Sequence, residues 1–137
     1  MSCQNRTILL AEDEESVRRF LVPVLHKNGY EVIVAENGLE ALQKSKDHKG
    51  EIHLLLSNIQ MPGITGIEIA TQVQLERPKI GVLLISGLPS GMIVLGSGWQ
   101  FLPKPFLPRL LLDKIDSMLN HQANVEVPNC GSEVEGG

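Results

Sequence analysis

Three consecutive leucines, Leu54-Leu55-Leu56, run into Ser57-Asn58-Ile59-Gln60 and then into a Pro/Gly loop, Met61-Pro62-Gly63-Ile64-Thr65-Gly66. No other stretch constrains the fold as tightly. A strand with one face in water alternates apolar and polar residues, whereas this run has no alternation. It therefore suits a strand buried on both faces, as in a parallel sheet covered by helices. Asn58 then falls at the carboxyl end of that strand, where open α/β sheets bind their ligands.

The flanking sequence repeats the pattern. Arg6 to Ala11 is a short apolar strand followed by Glu12-Asp13-Glu14-Glu15. From Ser16 the residues Val17, Phe20, Leu21, Val24 and Leu25 recur at helical spacing, with acidic residues at the positive end of the helix dipole and Asn28-Gly29 as a stop. Pro23 interrupts this helix and predicts a kink. Tyr30 to Ala35 is β-branched and reads as a second strand. Asn37-Gly38 turns the chain into a helix carrying Leu39, Ala41, Leu42 and Ser45, which ends in the polar run Lys46 to Gly50.

His53 to Ser57 forms the third strand, and a helix carrying Ile67, Ala70, Val73 and Gln74 follows the loop until Arg77-Pro78 ends it. Ile80 to Ile85 is a fourth unalternated strand, closing at Ser86-Gly87. The glycines Gly87, Gly91, Gly96 and Gly98 predict a short or irregular fourth helical segment. Trp99 to Pro103 is a fifth strand and Lys104-Pro105-Phe106 a turn. Leu107 to Leu119 gives the last helix, with Leu110, Leu111, Ile115, Met118 and Leu119 on one side. Residues 122–137 lose periodicity and are expected to form a disordered tail or linker behind a domain of residues 5–121. Five strands alternating with five helical segments predict a doubly wound parallel α/β sheet with helices on both faces.

Length and charge narrow the function. A chain of 137 residues fits one core. Twelve Lys and Arg against sixteen Asp and Glu leave a net charge of -4, and no basic cluster exceeds Arg18-Arg19, so direct nucleic-acid binding is not expected. No apolar run approaches the roughly 20 residues of a membrane span, and no signal-peptide pattern opens the chain. Cys3 and Cys130 show no metal or redox spacing, so they read as free thiols of a reducing compartment, and the expected location is the cytoplasm. The residues specify no oligomeric state.

Four strands end in groups that fit one crevice: Glu12 and Asp13 after the first, Asn58 at the third, Ser86 at the fourth and Lys104 at the fifth. Carboxylates, a hydroxyl and an ammonium there would suit a divalent cation and a phosphoryl group. Singly, each has a plainer reading: a solvated acidic helix start, a turn serine, a surface lysine. Their joint placement favours a site.

The stretches ILLAEDEESVRRFL, LLLSNIQMPGITGIE, LLISG and FLPKPF, in this order, resemble the receiver domain of two-component response regulators over roughly residues 5 to 120. The resemblance implies a flavodoxin-like five-stranded sheet of order 2-1-3-4-5 and a signalling module, not an enzyme. It also implies that Glu12, Asp13 and the backbone carbonyl of Gln60 hold Mg²⁺, that Ser86 and Lys104 sense the phosphoryl group, and that Phe101 is the switch aromatic. The Lys104–Pro105 bond is implied to be cis. Partners implied are a histidine kinase or phosphotransfer protein upstream, docked through the first helix, and an effector protein downstream.

One departure is central. Where the resemblance calls for a phosphoacceptor aspartate, the chain has Asn58. Phosphoryl transfer needs an anionic nucleophile, and a neutral amide is a far poorer one. Losing that negative charge also weakens the Mg²⁺ site, since hard cations prefer charged oxygens. The Gly-rich stretch before Trp99 is a second departure, on the side of the family's usual signalling face. The expectation is a pseudo-receiver acting through protein–protein contacts. The alternative is a conventional receiver whose acceptor aspartate has been replaced by Asn58; a hydrolase or flavin binder on the same fold is disfavoured, because the motif set belongs to receivers.

Overall fold

The computed structural model describes residues 6–87 and 99–123, with side chains described to residue 119. Its elements alternate: β1 (Arg6–Ala11), α1 (Glu15–Lys27), β2 (Tyr30–Ala35), α2 (Gly38–Asp47), β3 (Leu54–Asn58), α3 (Gly66–Glu76), β4 (Gly81–Ser86), β5 (Trp99–Pro103) and α4 (Pro108–Ala123). The strands form one parallel sheet in the order β2-β1-β3-β4-β5. The order 2-1-3-4-5 is thus the flavodoxin-like one.

β3 lies in the middle of this sheet, and all five of its residues are buried, as are all six of β4. The unalternated leucine run is explained by the two layers that cover it. Leu9, Leu55, Val82 and Leu84 pack with Ala41, Ile69, Ala70 and Val73 of α2 and α3. Ile8, Leu10, Leu54, Leu56, Leu83 and Ile85 pack on the other side with Leu21 and Leu25 of α1 and Leu111, Ile115 and Leu119 of α4. Burying each such side chain contributes about 1.5–3 kcal/mol, so β3 is the strand that welds the layers together.

The helix boundaries have local causes. Asn37 caps α2 by accepting from the Glu40 N–H at 2.8 Å. Thr65 and Glu68 form a reciprocal capping box that starts α3 directly after the loop. The last carbonyls of α2 are unsatisfied by the helix itself, and Arg77 answers two of them, donating to the carbonyls of Ser45 and His48 at 2.8 and 2.9 Å, while it also donates to the carbonyl of Gly50 beyond the helix at 3.0 Å. α1 runs continuously through Pro23.

Three apolar residues assigned to inward stripes point elsewhere. Leu39 is 70% exposed, Leu110 51% and Phe20 48%. In α4 the inward row is Leu111, Ile115 and Leu119 at i, i+4, i+8, so Leu110 is turned by one helical step of about 100° towards solvent. Leu39 occupies the first turn of α2, outside the row through Ala41 and Ser45. In α1 the core takes Leu21 and Leu25, which leaves Phe20 on the rim.

The fourth helical segment expected between Gly87 and Trp99 lies outside the described residues, as do Cys3 and Cys130. α4 extends to Ala123, and the expected tail beyond it is likewise outside them. Among the described residues no helix is long and apolar enough to cross a membrane.

Candidate functional site

The carboxyl ends of β1, β3, β4 and β5 lie side by side, and the register fixes what each delivers. Ala11 pairs with Ser57, so Glu12 and Asp13 leave β1 next to Asn58. Asn58 pairs with Ile85, and Ser86 pairs with Pro103, so Ser86 and Lys104 follow on the other side. The Lys104 N–H donates to the Ser86 carbonyl at 2.9 Å, which ties the last two positions together. The Lys104–Pro105 peptide is cis.

The Asn58 amide is the hub. Its Nδ2 donates to the Gln60 carbonyl at 3.1 Å, to Asp13 Oδ1 at 3.4 Å and to Glu12 Oε2 at 3.5 Å. Two N–H groups therefore serve three oxygens, and the shortest contact is the one to the loop carbonyl. Asn58 is 7% exposed and Glu12 1%, whereas Asp13 is partly exposed and Gln60 exposed, so the meeting point has a buried inner side and an outer side open to water.

Glu12 is held from several directions. Its Oε2 also accepts from the Glu14 N–H at 3.1 Å, and its backbone carbonyl accepts from Arg18 Nη1 at 2.8 Å. Arg18 Nη2 lies 3.8 Å from Glu36 Oε2, so the guanidinium bridges the starts of α1 and α2. Glu12 Oε1 is buried with no hydrogen-bond partner among the described residues. Burial raises the Glu12 carboxyl above the ordinary carboxylate range; the Glu14 N–H and the Lys104 charge oppose the shift, and Asp13 adds to it.

The tight packing behind Asn58 is set by Gly66. A Cβ there would lie 2.4 Å from the Asn58 carbonyl oxygen, 2.9 Å from Ile59 Cα and 2.9 Å from Ser57 Oγ. Only glycine lets the first turn of α3 sit directly on the end of β3, where the Gly66 N–H donates to the Ile59 carbonyl at 2.9 Å. Gly63, at φ +83°, allows the intervening turn.

Of the residues expected to form the site, Glu12, Asp13, Asn58 and Gln60 are joined by direct contacts. Lys104 acts on Glu12 through its charge, and Ser86 is fully buried at the adjacent strand end. Phe101 stands apart, opposite Leu84 in β5, half-buried against the layer of α2 and α3. Sequence reasoning missed Arg18 and Gly66. Gly66 lies inside the capping box, between Thr65 and Glu68, as the first residue of α3, and a glycine there is a legible sign of close backbone approach, whereas the reach of Arg18 to the Glu12 carbonyl has no sequence signal.

The profile of the response regulator receiver domain family matches residues 8–116. The chain belongs to this family and is a receiver domain of the two-component signalling type. The response regulator receiver protein CpdR of Brucella abortus (strain 2308) is 36% identical over 118 residues, covering 83% of this chain and 97% of CpdR. The sensor kinase CckA of the same organism is 32% identical over 120 residues, which is 85% of this chain but 13% of CckA. The response regulator TrrA of Thermotoga maritima, crystallised in complex with Mg²⁺-BeF, is 31% identical with a TM-score of 0.73, covering 83% of this chain and 99% of TrrA.

The family implies Mg²⁺ at this end of the sheet, and the donor set can be tested against that ion. Mg²⁺ takes six oxygens at about 2.1 Å in near-octahedral geometry. Here the point on which Glu12 Oε2, Asp13 Oδ1 and the Gln60 carbonyl converge is filled by Asn58 Nδ2, a donor that repels a cation. The further oxygens of these side chains, Glu12 Oε1, Asp13 Oδ2 and Asn58 Oδ1, do not remove that nitrogen from the centre. The residues as arranged do not fit the ion.

Proposed function

We propose that this chain is a pseudo-receiver, a signalling module that works through protein–protein contacts without phosphorylation of its own. The observation that supports this most directly is the Asn58 amide, placed at the carboxyl end of the central strand and bonded to Glu12, Asp13 and the Gln60 carbonyl. In a phosphoaccepting receiver this position requires a carboxylate nucleophile, and the amide supplies neither the charge nor a stable acyl phosphate. Asn58 occupies the acceptor position in this reading, with Ser86 and Lys104 as the phosphoryl-sensing pair, Phe101 as the switch aromatic, and Glu12, Asp13 and Gln60 as what remains of a weakened Mg²⁺ site.

The module has no catalytic role of its own and acts in the cytoplasm. Its partners are a histidine kinase or phosphotransfer protein, met through α1, where Phe20 is half-exposed, and a downstream effector protein. The names of the relatives, a sensor kinase and a receiver protein, are consistent with such a chain of proteins. Incubation with acetyl phosphate and Mg²⁺ followed by intact mass measurement is expected to leave the mass unchanged. Stoichiometric addition of one phosphoryl group would overturn the reading.

A second reading, a conventional receiver whose aspartate has been replaced by Asn58, draws on the otherwise complete set of Glu12, Asp13, Ser86 and Lys104. An aspartate codon at position 58 in the source gene would decide for it.

A further inference from the structure

We propose that the Asn58 side-chain amide stands in for the divalent cation, so that the acidic pocket is assembled permanently by a tethered donor and needs no metal. This inference rests on the pseudo-receiver reading and concerns what replaced the ion.

The geometry points to replacement and not to simple loss. A receiver without its acceptor charge could leave Glu12 and Asp13 facing an empty pocket, where two neighbouring carboxylates repel each other in a poorly solvated place. Instead, one nitrogen touches an oxygen of each of the three residues that the family resemblance assigns to the ion: 3.1 Å to the Gln60 carbonyl, 3.4 Å to Asp13 Oδ1 and 3.5 Å to Glu12 Oε2. Those three oxygens come from two different loops and are held on one centre. An ion achieves this by charge, the amide by its two N–H dipoles.

The amide compensates only part of an ion's charge, and the chain supplies the remainder from fixed donors. The Glu14 N–H serves Glu12 Oε2, Arg18 holds the Glu12 carbonyl, and the Lys104 ammonium lies close enough for its charge to act on Glu12. The bond to the Gln60 carbonyl also fixes the start of the loop whose far end is closed by Gly66 N–H to Ile59. The loop between β3 and α3 is therefore held in one arrangement by bonds internal to the chain. A partner reading this end of the sheet meets the same surface whether or not Mg²⁺ is present.

The test compares the full chain with Asn58→Asp and Asn58→Ala by thermal unfolding with and without millimolar Mg²⁺, together with Mg²⁺ titration calorimetry. The unaltered chain is expected to show the same Tm in both conditions. N58D should have a lower Tm without the ion, recover it as Mg²⁺ is added, and bind Mg²⁺ more tightly than the unaltered chain by about tenfold or more. N58A, lacking both donor and charge, should lose Tm with only partial recovery in Mg²⁺. A side-chain readout accompanies these: the Asn58 ¹⁵N–¹H₂ signals should be protected from exchange and insensitive to Mg²⁺. An unaltered chain stabilised by Mg²⁺ to the same extent as N58D, or an Asn58 signal that shifts on Mg²⁺ addition, would overturn the inference. That result with no phosphoryl uptake from acetyl phosphate would leave the pseudo-receiver reading standing, whereas phosphoryl uptake would remove the reading itself.

Discussion

β3 is flanked by two nitrogen-bearing side chains that are used differently: the partly buried His53 just before its first residue and the buried Asn58 that ends it. At the amino end, His53 Nδ1 accepts from the Thr7 N–H at 2.9 Å, and its Nε2 lies 3.5 Å from Glu51 Oε1. Both ring nitrogens are engaged, and the bond extends the pairing of β1 and β3 by one step. At the carboxyl end, Asn58 Nδ2 is shared among three oxygens at longer distances, beside a buried Glu12 oxygen that has no partner among the described residues. The amino end is satisfied, so it reads as structure. The carboxyl end keeps one buried carboxylate oxygen without a hydrogen-bond partner among the described residues, and buried polar groups of that kind are retained at sites more often than in scaffolding.

The strand between the two ends sets the scale for breaking this comparison. Leu55→Ala removes a fully buried side chain from the centre of β3 and should cost about 3–4 kcal/mol, disturbing both ends alike. Urea unfolding followed through Trp99, the single tryptophan, measures it. A smaller and local effect is expected from Gly66→Ala, whose methyl would press on the Asn58 carbonyl. Overpacking of this kind costs about 1–3 kcal/mol. Amide exchange should show the disturbance at Ser57 to Ile59, with the Thr7 amide keeping its protection; a loss spread evenly along β3 would contradict the separation of the two ends.

The smallest effect is the pH dependence that His53 contributes at the amino end. Burial lowers the His53 pKa, assisted by the Arg6 charge and opposed by Glu51. Protonation also destroys the acceptor that Nδ1 offers to the Thr7 N–H. Because the unfolded chain binds the proton more readily, the stability linked to His53 is complete above the unfolded value of about 6.5 and falls as the pH drops below it. Unfolding midpoints between pH 7.5 and 5.5, taken as approximate bounds of that titration, should decline in the unaltered chain and decline less in His53→Leu. Equal slopes would remove His53 from the account.

His53 also marks where sequence reading stopped. It was legible only as the first residue of a strand, because its partner, the Thr7 N–H, lies 46 residues away and is chosen by the β1–β3 register. Asn58 was more legible: an unalternated run can only be buried on both faces, and the polar residue ending it must then emerge at the sheet's edge. Leu39, Leu110 and Phe20 fall between these cases. Periodicity places an apolar stripe on each helix but does not fix its phase to within one residue, and packing against the sheet chose Leu111 over Leu110.

By itself the sequence determined the alternation of strands and helices, the parallel sheet, and the residue types delivered to its carboxyl edge. Those follow from local rules: burial period, turn residues and caps act over a few positions and survive any rearrangement of the whole. Only the tertiary structure decided which oxygens the Asn58 amide faces, that Arg18 and the Glu14 N–H secure Glu12, and that Gly66 must lack a side chain. Each of those depends on distances between segments brought together by folding, and a few tenths of an ångström there separate a hydrogen bond from a clash.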